Sequence, residues 1–237
     1  MSIIETQKLE KVYEHNGIAV SALKGISVTV AGGEFAAIAG PSGSGKTTLL
    51  NIIGGLDRPS GGSVQVAGSD LDHMSARELS DMRLRSIGFI FQAYNLIPVL
   101  TALENVEYIL LLQGISKEER RQRSARILRD VGLSGEINRL PKDMSGGQQQ
   151  RVAVARAIVS EPAIVLADEP TANLDQKTGS GLIDLMAQLN KSKGITFVFS
   201  THDTMVMDRA ERLIHLSDGV VASDKAKKGR GRRGIRG

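Results

Sequence analysis

Apolar residues along this chain fall into short blocks that switch between two spacings. Near the N-terminus they alternate with polar residues around turns. Ile3–Leu9 and Gly25–Val30 predict strands, and His15-Asn16-Gly17 predicts a hairpin turn. Glu34–Ala39 is a short buried-type strand, and the spacing turns helical from Thr48 to Ile53. Asp57-Arg-Pro-Ser-Gly-Gly62 is a loop, Ser63–Ala67 a strand, and Gly68-Ser-Asp-Leu a turn. Ser75 and Glu78 have capping-box spacing and open a helix to about Arg85; Ile87–Phe91 is a strand that ends at Gln92. Thr101–Gln113 is a helix with Thr101 as its cap. Ser116 and Glu119 form a second capping box for a charged helix that runs to about Val131 and ends near Gly132.

Farther on, a helix opens at Ser145 and continues through Val159. Ala163–Glu169 is a buried-type strand ending in two acids, followed by a helix over about 176–192 and a strand at Ile195–Phe199. Arg212–Ser217 and Val220–Ser223 pair through Asp218-Gly219. The result is an α/β pattern with a mostly helical block, 93–161, between strand-rich flanks. That predicts a helical subdomain inserted into an α/β core. Residues 93–100 (AYNLIPVL) form an apolar loop that covers a core or docks a partner. No internal repeat is visible.

One stretch carries specific chemistry. Gly40-Pro41-Ser42-Gly43-Ser44-Gly45-Lys46-Thr47 fits G-x-x-x-x-G-K-[ST], the P-loop pattern, between a strand and a helix. Glycines let successive N–H groups turn inward on a phosphate, and the helix N-terminus adds partial positive charge. Lys46 is placed to reach the β- and γ-phosphates, and the Thr47 hydroxyl to bind Mg²⁺. Ser145, Gly146 and Gly147 at a helix start offer free N–H groups and a small hydroxyl, an anion-binding end or simply a serine-capped helix. In a P-loop protein, Asp168 is placed to hold Mg²⁺ and Glu169 to orient or deprotonate an attacking water. His202 follows the C-terminal edge of a strand, where α/β proteins meet their ligands. Tyr13 precedes the hairpin turn, as a platform for a nucleobase or as an ordinary half-buried strand residue.

Composition narrows the class. The chain has 237 residues, 41% of them hydrophobic but only 3% aromatic, so its core is aliphatic. It has no cysteine, which excludes disulfides and thiolate-held metals. No apolar run approaches the roughly 20 residues that span a bilayer, and the N-terminus has no basic-then-apolar signal pattern. A soluble, cytoplasmic protein is the expectation. The net charge of +4 is concentrated: residues 225–237 contain seven Lys/Arg and no acid, which leaves 23 basic against 26 acidic residues elsewhere, a net of −3. The body is mildly acidic, and the basic segment is expected to be a disordered tail behind one domain of residues 1–224. A nucleic-acid-binding body is not indicated.

Taken together these elements resemble the nucleotide-binding subunit of an ABC transporter over about residues 1–223. GPSGSGKT (40–47) looks like Walker A, Gln92 like the Q-loop, MSGGQ (144–148) like the signature, AIVLADE (163–169) like Walker B, ANLD (172–175) like the D-loop and His202 like the switch histidine. The resemblance implies the ABC ATPase fold: a P-loop core (1–92 and 162–224), an N-terminal antiparallel β subdomain, and the helical insertion 93–161. It implies ATP and Mg²⁺ as ligands. Tyr13, residues 40–47, Thr48, Ser145, Gly146, Gly147, Gln148 and Asp175 would contact nucleotide; Thr47, Gln92 and Asp168 would serve the metal; Glu169, His202 and Gln92 would serve catalysis. GGLDRPSGG, IGFIFQAYNLIPVLTALENV and SGGQQQRVAVARAI look most like the lipoprotein-release (LolD-like) and macrolide-export (MacB-like) group. Met144 stands where the commoner residue is Leu.

The resemblance further implies a homodimer that closes on ATP, with Ser145 to Gln148 of one copy facing the γ-phosphate held by the other. A separately encoded transmembrane permease would hold the ATPase at the inner face of the membrane. The alternative is a soluble ABC ATPase acting on nucleic acid or ribosomes. Against it, only 97 residues separate Thr47 from Ser145, too few for the long coiled coil of the DNA-repair relatives, and the chain carries one cassette rather than two.

Overall fold

The computed structural model of this protein describes residues 1–15 and 17–227. Asn16, in the expected hairpin turn, and residues 228–237, most of the basic segment, lie outside the described residues.

Two sheets form. In the first, β1 (Ser2–His15), β2 (Ile18–Ala31), β4 (Gly61–Val66) and β5 (Ser69–Asp70) run antiparallel in the order β2-β1-β4-β5. The second has the order β10-β9-β3-β8-β7-β6. In it β9 (Arg212–Ser217), β3 (Phe35–Ala39), β8 (Thr196–Thr201), β7 (Ile164–Asp168) and β6 (Ile87–Ile90) are parallel, and β10 (Val220–Ala226) closes the edge antiparallel. Every residue of β3 and β8 is buried. That is the signature of a parallel sheet covered on both faces, and it explains the unbroken apolar run of β3 and the Phe197-Val198-Phe199 centre of β8.

The pleat divides the core. Phe35, Ala37, Val165, Ala167, Phe197 and Phe199 point to one face, and Ile38, Ile164, Leu166 and Val198 to the other. The first face is covered by α3 (Ala102–Leu112), α4 (Lys117–Asp130), α5 (Gly146–Ile158) and α6 (Gln176–Lys193). There Phe35, Phe197 and Phe199 pack with ring centroids 4.7–6.0 Å apart. The second face is covered by α1 (Lys46–Ile53), α2 (Ala76–Ser86) and the antiparallel sheet. The helical segment has no separate core of its own. Leu103, Val106, Leu110, Ile127 and Leu128 belong to the same apolar cluster as the sheet.

α5 approaches β6 closely. A Cβ placed on Gly88 would lie 2.2 Å from the Ala157 carbonyl oxygen. Gly88→Ala is therefore expected to cost about 1–3 kcal/mol through overpacking, seen as a melting temperature lowered by roughly 2–10 °C. A melting temperature unchanged by that substitution would mean that β6 and α5 are not in contact.

Local signals explain most helix starts. Ser75 and Thr101 complete capping boxes with Glu78 and Glu104. The box expected at Ser116 forms only by half: Ser116 Oγ accepts from the Glu119 N–H, while the Glu119 carboxylate lies 3.5 Å from Arg123. A third box, Ser145 with Gln148, was not expected from the sequence. The strands of the N-terminal hairpin are longer than their alternation suggested, because bulges in β1 break its period. β5 and α7 (Thr204–Arg209) are additions. β10 extends past residue 224, and the Lys227 N–H donates to the Glu211 carbonyl, so the first residues of the basic segment are structured. Among the described residues, no helix is long and apolar enough to cross a membrane.

Candidate functional site

The C-terminal ends of the parallel strands converge on the glycine loop. β3 delivers residues 40–45, and α1 starts at Lys46. Gly45 adopts φ +98° and a Cβ there would stand 2.6 Å from the Ala22 carbonyl oxygen, so only glycine fits. Lys46 is nearly buried, and its ammonium donates to the carbonyls of Gly40 (2.8 Å) and Pro41 (2.9 Å). Ser44 is buried, and its hydroxyl oxygen has no hydrogen-bond partner. A buried polar atom left unpaired within a glycine loop at a helix start fits a loop shaped for an anion.

Thr47 and Asp168 meet beside this loop. The Thr47 hydroxyl lies 3.2 Å from both carboxylate oxygens of Asp168, the last residue of β7. A hydroxyl and a carboxylate are hard oxygen donors of the kind Mg²⁺ takes when phosphate oxygens complete its shell. Among the described residues no group of three or more His, Cys, Asp or Glu is able to hold a metal without such help.

Glu169, just after β7, is set by a left-handed backbone. It has φ +45°, and its N–H donates to the Ser200 carbonyl (2.9 Å). One carboxylate oxygen lies 2.7 Å from His202 Nδ1, and the other accepts from the Thr201 hydroxyl at 3.3 Å. Left-handed backbone in a non-glycine residue costs energy and persists where neighbours overdetermine it. Here the neighbouring strand β8 does so, and it carries Thr201 and His202 to the carboxylate.

Further ties join the loops around the site. The Thr171 hydroxyl donates to Asp203 (2.9 Å), linking the segment after Glu169 to the one after His202. The Asn173 amide donates to the Gln92 carbonyl (2.9 Å). Gln150, fully buried in α5, donates to the Pro170 carbonyl at 2.8 Å and so connects the Ser145 helix to the Asp168-Glu169 loop. Arg156 of α5 donates to the carbonyls of Tyr94 and Asn95, both left-handed residues that follow Gln92. Asp175 caps α6, and hydrogen bonds from Thr178 hold its carboxyl below the usual range.

Sequence reasoning singled out Tyr13 as well. Its phenol donates to Asp57 at 2.7 Å, and the Thr48 hydroxyl stands beside it, so the ring sits next to the first turn of α1. The structure thus gathers Tyr13, residues 40–48, Asp168, Glu169 and His202 at one edge. Exposed Gln92 lies at the seam with the helices. Residues 145–148 are elsewhere: among the described residues no hydrogen bond joins them to residues 40–48. Ser145 is exposed at its helix start. The partners that sequence reasoning missed are Thr171, Thr201, Asp203, Gln150, Asn173 and Arg156. Their roles depend on contacts between distant segments, and no local spacing announces them.

Beyond Gln92 a groove of about 410 Å³ opens between the core and the helices, lined by Leu84, Phe89, Phe91, Ile97, Tyr108 and Arg156 among others. The apolar 93–100 loop forms part of its wall. The buried Asn105 amide fixes that loop by donating to the carbonyls of Ile97 and Leu100 and accepting from the Ile97 N–H.

Comparison with known proteins decides the family. The sequence profile of the ABC transporter family matches residues 23–172. The chain belongs to the ABC transporter family. It is an ABC-type ATPase cassette. An uncharacterized ABC transporter ATP-binding protein of Thermotoga maritima is 44% identical, covering 92% of this chain and 93% of its own length. The lipoprotein-releasing system ATP-binding protein LolD of Alcanivorax borkumensis is 43% identical over 92% of this chain and 96% of LolD. The macrolide export ATP-binding/permease protein MacB of Brucella melitensis is 42% identical over 95% of this chain, which spans only 35% of MacB. Among solved structures, the ATP-binding cassette MJ0796 in a dimeric post-hydrolysis state bound to ADP and Pi superposes with a TM-score of 0.88, at 43% identity over 95% of this chain and 99% of that one. This ABC chain therefore shares its fold with cassettes that dimerise.

Proposed function

We propose that this ABC cassette binds and hydrolyses ATP with Mg²⁺ to power a transporter of the lipoprotein-release or macrolide-export type, closing as a homodimer on ATP. The observation that carries the reading is the cluster at the end of β7 and β8: Asp168 on the Thr47 hydroxyl, and Glu169 on His202, both beside the glycine loop.

Each residue then has a task that its chemistry suits. The N–H groups of residues 43–48 and the Lys46 ammonium bind the phosphates. Thr47 and Asp168 would hold Mg²⁺ with Gln92 as a further oxygen donor, and the ion would supply positive charge against that of the phosphate oxygens. Glu169 orients the attacking water and accepts its proton. His202, anchored on the Glu169 carboxylate, contacts the γ-phosphate. Ser145, Gly146, Gly147 and Gln148 donate to ATP held by the second copy; the dimeric state of the similar cassette MJ0796 supports the pairing of two copies. ATP thereby bridges the halves, and its hydrolysis removes the bridge.

The permease partner is proposed to dock in the groove beside Gln92. The groove is apolar, and Arg156 ties its wall to the signature helix, so a partner seated there would feel the state of the nucleotide. The test is recovery of bound proteins from membranes with tagged Glu169→Gln protein and ATP. A polytopic protein with a large extracytoplasmic domain is the expected partner. Ribosomal or DNA-bound proteins without any membrane protein would overturn the transporter reading and leave the ATP chemistry standing.

A further inference from the structure

Asp57, in the loop after α1, uses both of its carboxylate oxygens. Oδ1 accepts from Lys11 Nζ at 2.6 Å and from the Arg58 N–H at 2.7 Å, and Oδ2 accepts from the Tyr13 phenol at 2.7 Å. Burial pushes this carboxyl up, but the hydrogen bonds from Lys11, Tyr13 and Arg58 outweigh it and hold the group below the ordinary aspartate range. Lys11 is equally committed. Its ammonium also donates to the Arg58 carbonyl at 2.7 Å and stands 4.8 Å from the centroid of the Tyr13 ring. An ammonium has three donors. Here one meets Asp57, one the Arg58 carbonyl, and the remainder faces the ring, so none is left for a phosphate. Lys11 and Asp57 are half-buried, whereas Tyr13 is exposed. The two charges are tucked under the ring, which stays open to solvent.

We propose that Lys11 and Asp57 are positioning residues for Tyr13: they hold its ring with one face capped by the ammonium and leave the other for the adenine of ATP. This rests on the reading of Tyr13 as the base platform. A cation is drawn to the face of an aromatic ring, and a phenol bonded to a carboxylate cannot rotate freely. The ring is therefore set before the nucleotide arrives, and less freedom is lost on binding. Because the phenol's one donor is used on Asp57, Tyr13 meets the base by stacking and has no proton to donate to its edge.

The experiment compares dissociation constants for ATP and for inorganic triphosphate, both with Mg²⁺, on the full chain and on Tyr13→Ala, Lys11→Met, Lys11→Arg and Asp57→Asn. Triphosphate has no base, so the ratio of the two affinities isolates stacking. Tyr13→Ala is expected to reduce the preference for ATP by about 5-fold or more. Lys11→Met and Asp57→Asn are expected to reduce it by about 2- to 5-fold, with triphosphate binding unchanged and Lys11→Arg restoring the preference. If Tyr13→Ala leaves the ratio intact, the base-platform reading fails and the proposal falls with it. If Tyr13→Ala lowers the ratio but Lys11→Met and Asp57→Asn do not, the positioning role alone is wrong. Equal losses for ATP and triphosphate in Lys11→Met would assign Lys11 to the phosphates or to general support of the loop, and would likewise overturn the proposal.

Discussion

Glu169→Gln is expected to slow ATP turnover by about two to four orders of magnitude, the range that a positioned general base contributes, and to accumulate a dimer in the presence of ATP. Glutamine has nearly the same shape, so one amide oxygen still accepts from Thr201 or faces His202. The backbone that aims the side chain is untouched, because the φ of +45° and the N–H bond to Ser200 do not involve the carboxylate. Only basicity and charge are lost. Binding should therefore survive while the proton transfer does not, and the ATP bridge between two copies should persist. Phosphate release followed over time, with gel filtration in ATP and without it, reads both effects. Turnover equal to that of the unaltered chain would remove Glu169 from the mechanism.

Lys46→Met is expected to weaken ATP binding by about 10- to 100-fold, since a hydrogen bond to a charged group is worth roughly 1.5–3 kcal/mol. The methionine keeps an apolar stem in the nearly buried position and removes the ammonium. That ammonium now spans the loop by donating to Gly40 and Pro41. Exchanging these carbonyls for phosphate oxygens satisfies the same donors with a charged acceptor, which makes the exchange favourable. Inorganic triphosphate should lose affinity by the same factor as ATP, since the lysine meets only phosphate. An ATP dissociation constant that does not move would show that Lys46 stays on its loop carbonyls when nucleotide binds.

Both expectations start from residues that spacing alone had singled out. The glycine loop, the two acids after an apolar strand and the capping residues are local: each depends on neighbours within a turn or a strand end, and so each is written in consecutive letters. The buried strands were legible for the same reason, because β3 is apolar at every position and β8 carries the apolar run Phe197-Val198-Phe199. Elements shaped by strand pairing, or by competition between partners for one side chain, were not. The length of β1 and β2 depends on bulges and on pairing across the hairpin. β5 is a two-residue strand that exists only because β4 lies beside it. The Glu119 carboxylate prefers Arg123 to its own capping box, a competition that spacing cannot weigh.

The site divides in the same way. By itself the sequence picked out a glycine loop of the P-loop pattern, Thr47 and Asp168 as oxygen donors, Glu169 at a strand end, and a serine-capped helix start at Ser145. Only the tertiary structure decided how they are held: Glu169 braced by β8, Gln150 and Asn173 tying the signature helix and the Gln92 segment to the loop after β7, and Lys11 and Asp57 gripping Tyr13. Those partners lie tens of residues apart in the chain. A side chain's chemistry is fixed by its own identity, whereas its orientation is fixed by whatever the fold packs against it.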